Sequence, residues 1–289
     1  MVGIAGISIG VDQLFRSSYS TLITGFCIFT CSLAEEVCVF VAATTNCLEN
    51  TPLDEAIEKL AHLEFANIEL SIRESGQHLK PSEVSADLQY AIRVCESTQR
   101  LNVIGYGLEI AETGDDYFRV FGDCCKLAKA TKVVTLTVEA GEHGTPFNEE
   151  VEKYKQLVKI AEQHGVRVGM RARVGHLSDD PDTVSVICGH VKGLGLTLDP
   201  SHYLHGKDPA PNYEHLLGYV QGVYLRDSTK DDLQVCVGQG VIEYGKLINQ
   251  LRKVNFDRGL MVDIQPSPDV DHDGELRKLR LLLESLLIV

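Results

Sequence analysis

From residue 37 onward, short apolar runs alternate with amphipathic stretches. Residues 37–43 (VCVFVAA) form a β-branched apolar run, the pattern of a strand buried on both faces. The next stretch, Thr51-Pro52-Leu53-Asp54-Glu55, opens a helix. Thr51 suits the cap, Pro52 the first position, and the two acids the positive end of the helix dipole. Leu53, Ile57, Leu60 and Ala61 continue it at helical spacing. The pattern then repeats. Strands are expected at 67–72, 101–109, 132–138, 166–172, 194–198, 220–225 and 259–264. Helical segments are expected at 81–100, 115–131, 147–164, 181–190, 213–218, 242–254 and 273–287, with Gly165 as a stop after the third of these.

Eight strands alternating with eight helical segments imply a parallel sheet. Eight units favour closure into a single (β/α)8 barrel, which usually takes about 250 residues. The chain has 289. No GxGxxG follows the first strand, which counts against a dinucleotide-binding fold. No Pro/Ser-rich linker divides residues 37–289, so they read as one barrel domain.

Residues 1–36 read differently. Residues 19–34 (YSTLITGFCIFTCSLA) are uncharged and mostly apolar, shorter than the roughly 20 residues of a spanning helix and diluted by Ser and Thr. The segment reads as an N-terminal extension: disordered, processed, or the product of an upstream start codon. Arg16 before it and Ser32-Leu33-Ala34 after it leave an export signal open. A cytoplasmic location without a stable membrane anchor is the expectation.

Composition narrows the function. With 44% hydrophobic and 24% charged residues, the chain can bury a large core. A formal net charge of −14 disfavours phosphate backbones and anionic lipid, so no nucleic-acid partner is expected. The nine cysteines are scattered, and no CxxC pair suggests structural zinc.

In such a barrel the chemistry lies at the C-terminal ends of the strands. The polar residues expected there are Glu69, Glu109, Glu139, Arg171, Arg173, Asp199, His202, Tyr224, Arg226, Asp227 and Asp263. Carboxylates and imidazoles of this kind suit Mn, Mg, Co or Zn, which can polarise a sugar carbonyl. Each residue also has a plainer reading. The three glutamates could be solvated strand ends or ion-pair partners. Asp199, before Pro200, could cap a turn. Asp227 could hold a loop. Gly238-Gln239-Gly240 could approach a phosphate or simply turn the chain. His164, His190, His205 and His215 read as surface or helix residues. Asp199 and His202, three apart just past a strand, are placed to converge on one point.

Several stretches together resemble the xylose-isomerase-like barrels, a superfamily of sugar and sugar-phosphate isomerases and epimerases, inosose dehydratases and endonuclease IV. Residues 51–56 through Ile68-Glu69-Leu70 look like the family's opening helix and "vEl" strand. Gly165-Val166-Arg167-Val168 looks like "GV-x-L". Leu198-Asp199-Pro200-Ser201-His202 with Gly206-Lys207-Asp208-Pro209 is similar to "lDpsH…G.dp". Val223-Tyr224-Leu225-Arg226-Asp227 looks like "vHlkD", and residues 237–244 like "vpxGxGxidy".

The resemblance implies a divergent sugar or sugar-phosphate isomerase or epimerase, using metal-assisted proton transfer beside a carbonyl. It assigns the metal to Asp199, His202 and Asp263. Proton transfer would fall to Asp263, His202 and Glu139, and substrate contacts to Arg171, Arg173, Glu69, Glu109 and Tyr224. The metal set is degenerate. The family's strand-five Glu falls on Arg171 and its strand-seven His on Tyr224. A metal-free, carbohydrate-binding pseudoenzyme, with Arg171 in the electrostatic place of the ion, is therefore the alternative. An endonuclease-IV-like repair enzyme is disfavoured by the charge and by Tyr224. The expected partner is a small sugar or sugar phosphate, and the sequence leaves a homo-oligomer open.

Overall fold

The structure is a computed structural model and describes residues 39–288; the expectations for residues 1–36 lie outside this range. Eight strands form one closed barrel: β1 (Phe40–Thr44), β2 (Asn67–Arg73), β3 (Asn102–Glu109), β4 (Thr135–Glu139), β5 (Arg167–Arg171), β6 (Leu194–Leu198), β7 (Val220–Leu225) and β8 (Gly259–Val262). Every neighbouring pair is parallel, and β1 closes against β8 from Phe40↔Gly259 to Ala43↔Val262. The helices are α1 (Leu53–His62), α2 (Pro81–Ala86), α3 (Leu88–Glu96), α4 (Gly114–Ala130), α5 (Phe147–Glu162), α6 (Pro181–His190), α7 (Pro200–Leu204), α8 (Tyr244–Lys253) and α9 (His272–Leu287). None of these is long and apolar enough to cross a membrane.

The strands match the sequence reading closely, and the helices differ in three places. The segment expected at 213–218 is a 3-10 helix, Glu214–Tyr219. The single helix expected over 81–100 is two, because Asp87 interrupts it with extended backbone and its carboxylate caps α3 by accepting the Tyr90 N–H at 2.9 Å. Residues 200–204, expected as a turn, make the short helix α7, and Asp199 is its cap.

Strand side chains alternate between two environments, as the pleat requires. Outward-facing Ile68, Leu70, Leu136, Val138, Val168, Met170, Leu196, Val223 and Leu260 join Ile57, Leu60, Phe121, Leu157, Leu251 and Leu279 of the helices in one continuous core. The inward face is different. Its apolar cluster is small: Ala42, Tyr224 and Met261, with Ile104 against them. Bulky branched residues usually fill a barrel of this kind. Here glycines occupy several inward positions. A Cβ on Gly169 would lie 2.5 Å from Thr197 Oγ1, and one on Gly259 2.6 Å from Ile104 Cδ1. The interior is thus partly polar and partly open, which sets up everything at the two ends.

Candidate functional site at the barrel mouth

Inward positions at the C-terminal ends of the strands carry ionisable groups. Asp199 is the first residue past β6 and is fully buried. Its Oδ1 accepts the Ser201 N–H at 3.1 Å, the cap of α7. Asp263 stands one residue past β8, also fully buried. Its Oδ1 accepts from Asn46 Nδ2 and Gln265 Nε2, both at 3.1 Å.

The second oxygen of each aspartate faces the same cation. Arg226 Nη2 donates to Asp199 Oδ2 at 2.8 Å and to Asp263 Oδ2 at 2.7 Å. Arg171 Nη2 adds a third bond, to Asp263 Oδ2 at 2.9 Å. Burial alone would raise the Asp263 pKa. The guanidiniums of Arg226 and Arg171, with the Asn46 amide, outweigh that and hold the carboxyl below its ordinary value. Burial likewise works against both arginines, and the facing carboxylates more than compensate.

His202 completes this layer without entering the ion pairs as a cation. The Val174 N–H donates to its Nδ1 at 3.1 Å, so the ring proton sits on Nε2, which is 3.5 Å from Asp199 Oδ2. Burial lowers its pKa to about 4, opposed by Asp199 and reinforced by both arginines. The imidazole is neutral at pH 7.

Further out on the rim, Glu139 is held by Arg173 at 3.1 Å and Arg171 at 3.4 Å. Glu109 is held on the other side by Arg73 Nε at 2.7 Å, and Arg73 also reaches Asn46 and Glu49. Below the aspartates, the Arg171 guanidinium lies over the Tyr224 ring, 4.7 Å from its centroid. Tyr224 Oη donates to Glu69 Oε2 at 2.6 Å. Glu69 is buried, and burial raises its pKa to about 7 against the opposing effects of Tyr224 and Arg171. Only about 20 Å³ is open between Glu69, Tyr224, Arg171, Asp263 and Glu139, room for about one water.

The structure therefore brings Asp199, His202, Asp263 and Arg171 together and sets Glu139 and Arg173 beside them. It places Glu109 across the rim with Arg73. Glu69 and Tyr224, expected among the strand ends, lie deeper: β2 runs on to Arg73, and β7 carries Tyr224 one inward step below Arg226. Asn46 and Arg73 were not singled out from sequence, and Arg226, expected at the rim, was given no role there. Counting in twos from Tyr224 would have put Arg226 on the inward face. Asp227 holds a loop, its Oδ2 accepting the N–H groups of Gly238 at 2.7 Å and Gly240 at 3.0 Å. That carboxylate takes the amides a phosphate would need.

Residues 57–283 match the family model described as xylose isomerase-like TIM barrel. The chain belongs to this family. Solved structures with the same fold include a xylose isomerase-like TIM barrel protein from Mycobacterium smegmatis in complex with magnesium. It has a TM-score of 0.71 and 12% identity over 86% of this chain and 96% of that one. A xylose isomerase domain protein from Alicyclobacillus acidocaldarius gives 0.69 and 15%, over 86% and 98%. The D-allulose 3-epimerase of Methylomonas sp., in complex with D-allulose, gives 0.66 and 12%, over 86% and 96%. By sequence, the uncharacterized protein MJ1311 of Methanocaldococcus jannaschii is 25% identical over 133 residues. The match spans 43% of this chain and 45% of that protein.

Some xylose isomerase-like barrels hold a metal, as the magnesium complex shows for its own chain. In this chain the donor set does not fit a divalent ion. The inward oxygens of Asp199 and Asp263 share a guanidinium nitrogen, and their other oxygens already accept hydrogen bonds. A divalent ion would have to enter beside two permanently charged arginines. The Nε2 of His202 carries a proton where a ligand needs a lone pair. Among the described residues, no group of three or more His, Cys, Asp or Glu side chains is arranged to hold a metal.

Proposed function

We propose that this xylose isomerase-like barrel binds a carbohydrate at its C-terminal mouth without a metal ion. The observation that carries the reading is Arg226, whose Nη2 bridges Asp199 and Asp263 where the family resemblance places the ion. Its fixed charge, together with that of Arg171 on Asp263, balances the two acids, and the shared Nη2 ties them to each other.

The same geometry favours binding over proton transfer. Asp263 is kept ionised by two guanidiniums, which weakens it as a base. Glu69, the carboxyl poised near neutrality, is sealed beneath Tyr224, with space above it for about one water. A sugar therefore sits above this layer, against Arg171, Arg173, Glu139, Glu109 and Arg73. Alternating guanidinium and carboxylate groups suit the paired donors and acceptors of vicinal hydroxyls, and a free face of Arg173 suits a carboxylate or phosphate on the ligand. Sugar-binding relatives such as the D-allulose 3-epimerase support the ligand class.

The test is calorimetric titration of the full chain with aldoses, ketoses, uronic acids and sugar phosphates, with EDTA present throughout. At least one class binds, and Arg173→Ala weakens that binding about tenfold, the size of one lost charge-assisted contact. Binding that requires added Mn, Mg, Co or Zn, or no binding by any class, overturns the reading.

A further inference from the structure

Among the described residues, the barrel is open at its other end. A cavity of about 470 Å³ opens on the N-terminal face, where the strands begin. Its walls come from the first residues of four strands, Phe40, Thr135, Arg167 and Gly259, and it reaches inward as far as Glu69. Pockets of roughly 300–1,000 Å³ are the size that holds small organic ligands. Conservation of structure at this face usually serves stability, and side chains usually plug it. Here Gly105 leaves space beside Glu69, while Met261 and Ile104 fold over the backbone of Gly222 and Gly259 along the wall.

Three features make the cavity more than a packing gap. First, its inner end is a carboxyl group. Glu69 Oε2 turns up toward Tyr224, whereas Oε1 lies toward Gly105, 3.5 Å from where that residue's Cβ would be. The only protein partner of Oε1 among the described residues is Thr137 at 3.5 Å, the outer limit of a hydrogen bond. Second, Gln221 lines the same cavity, and its Oε1 is buried with no partner among the described residues. A buried polar atom of this kind costs stability unless something donates to it. Third, the opening carries exposed Arg167 and half-buried Arg258, two cations against the one carboxylate of Asp257, which lies 3.6 Å from Arg258 Nε, while Phe40, Ile104 and Met261 give the walls an apolar lining.

We infer that the N-terminal face holds a second ligand site, separate from the mouth, for a small amphipathic anion with a hydrogen-bond donor at its far end. The donor reaches Glu69 Oε1, the apolar body lies along Phe40, Ile104 and Met261, and the anionic group stays at the opening on Arg167 and Arg258. Glu69 and Thr137 line both this cavity and the small space at the mouth, so they form the partition between the two ends.

The probe is 4-hydroxyphenylacetate, which carries a phenol donor, an aromatic body and a carboxylate. Its binding to the full chain is compared with that of phenylacetate, which lacks the donor, and 4-cresol, which lacks the anion. The expected result is binding of the complete probe, weakened about tenfold in each truncated one. Arg167→Ala weakens the complete probe and leaves 4-cresol unchanged. Gly105→Ala adds a methyl group at ordinary contact distance, so the barrel folds while the cavity narrows, and all three probes weaken. Sugar binding at the mouth is unchanged in both variants. Failure of 4-hydroxyphenylacetate to bind, or equal binding to the wild type and both variants, overturns the inference. A failure at the mouth alone leaves it standing, because the probes report only on the N-terminal face.

Discussion

Arg226 carries more of the mouth's electrostatics than any other single residue. Its Nη2 lies within 2.8 Å of carboxylate oxygens from two fully buried aspartates. Removing one partner from a buried ionic cluster costs about 3–5 kcal/mol, because the remaining charges are left unpaired. Arg226→Met is therefore expected to lower the denaturation midpoint sharply, measured by urea unfolding followed by circular dichroism. A midpoint within error of wild type would show that the two aspartates do not depend on it. Glu69 makes a different prediction. Its folded pKa, about 7, lies above the ordinary carboxylate value of 4.5. The folded state then binds more protons than the unfolded state between those values, so this group's contribution to stability falls as pH rises from 4.5 to 7. The difference is about 3 kcal/mol at most, from the size of the shift. Glu69→Gln should flatten that slope in unfolding curves recorded at pH 5, 6 and 7. An unchanged slope would mean the carboxyl is already ionised in the folded protein.

At the scale of elements, the glycine turn in the loop after β7 is held by the Asp227 carboxylate. Asp227 accepts the amides of Gly238 and Gly240, and a Cβ on Gly240 would fall 2.0 Å from Asp227 Oδ1. Gly240→Ala is expected to cost about 1–3 kcal/mol by overpacking, seen as a lower melting temperature, while Gln239→Ala beside it is neutral. Equal melting temperatures for the two variants would remove Asp227 from this role. The strands were legible because both-face burial writes β-branched runs such as VCVFVAA and KVVTLTV into the chain. The break at Asp87 was not, because Val84, Leu88, Ile92 and Cys95 continue the apolar spacing across it, and only the cap geometry reveals the stop. The Asp199–His202 pair was legible from its spacing past a strand. Arg226 was expected at the rim but carried no role, because an arginine two residues past a tyrosine reads as a solvated strand end until the inward phase of β7 is known. Glu69 was expected at a strand end, and a short strand reading ending at residue 72 hid how deep it sits.

For the whole molecule, the fold and the family are settled by the closed eight-stranded barrel and by the match over residues 57–283. The interior of that barrel is layered. Its upper layer is an ion-pair lattice, Asp199–Arg226–Asp263–Arg171–Glu139. Its middle is the Tyr224–Glu69 bond, and its lower end is hollow. An ion-pair lattice of this kind gives the mouth a fixed pattern of charge, and on the proposed reading it stands in for an ion. The most direct test is metal content. The full chain is incubated with Mn, Mg, Co or Zn, dialysed, and analysed by elemental spectrometry, with Asp199→Ala in parallel. The account predicts far less than one ion per chain for all four metals, with no difference between wild type and variant. About one ion per chain in the wild type, lost in Asp199→Ala, would be the stoichiometry of a true metal site. It would contradict the placement of Arg226 as the ion's replacement.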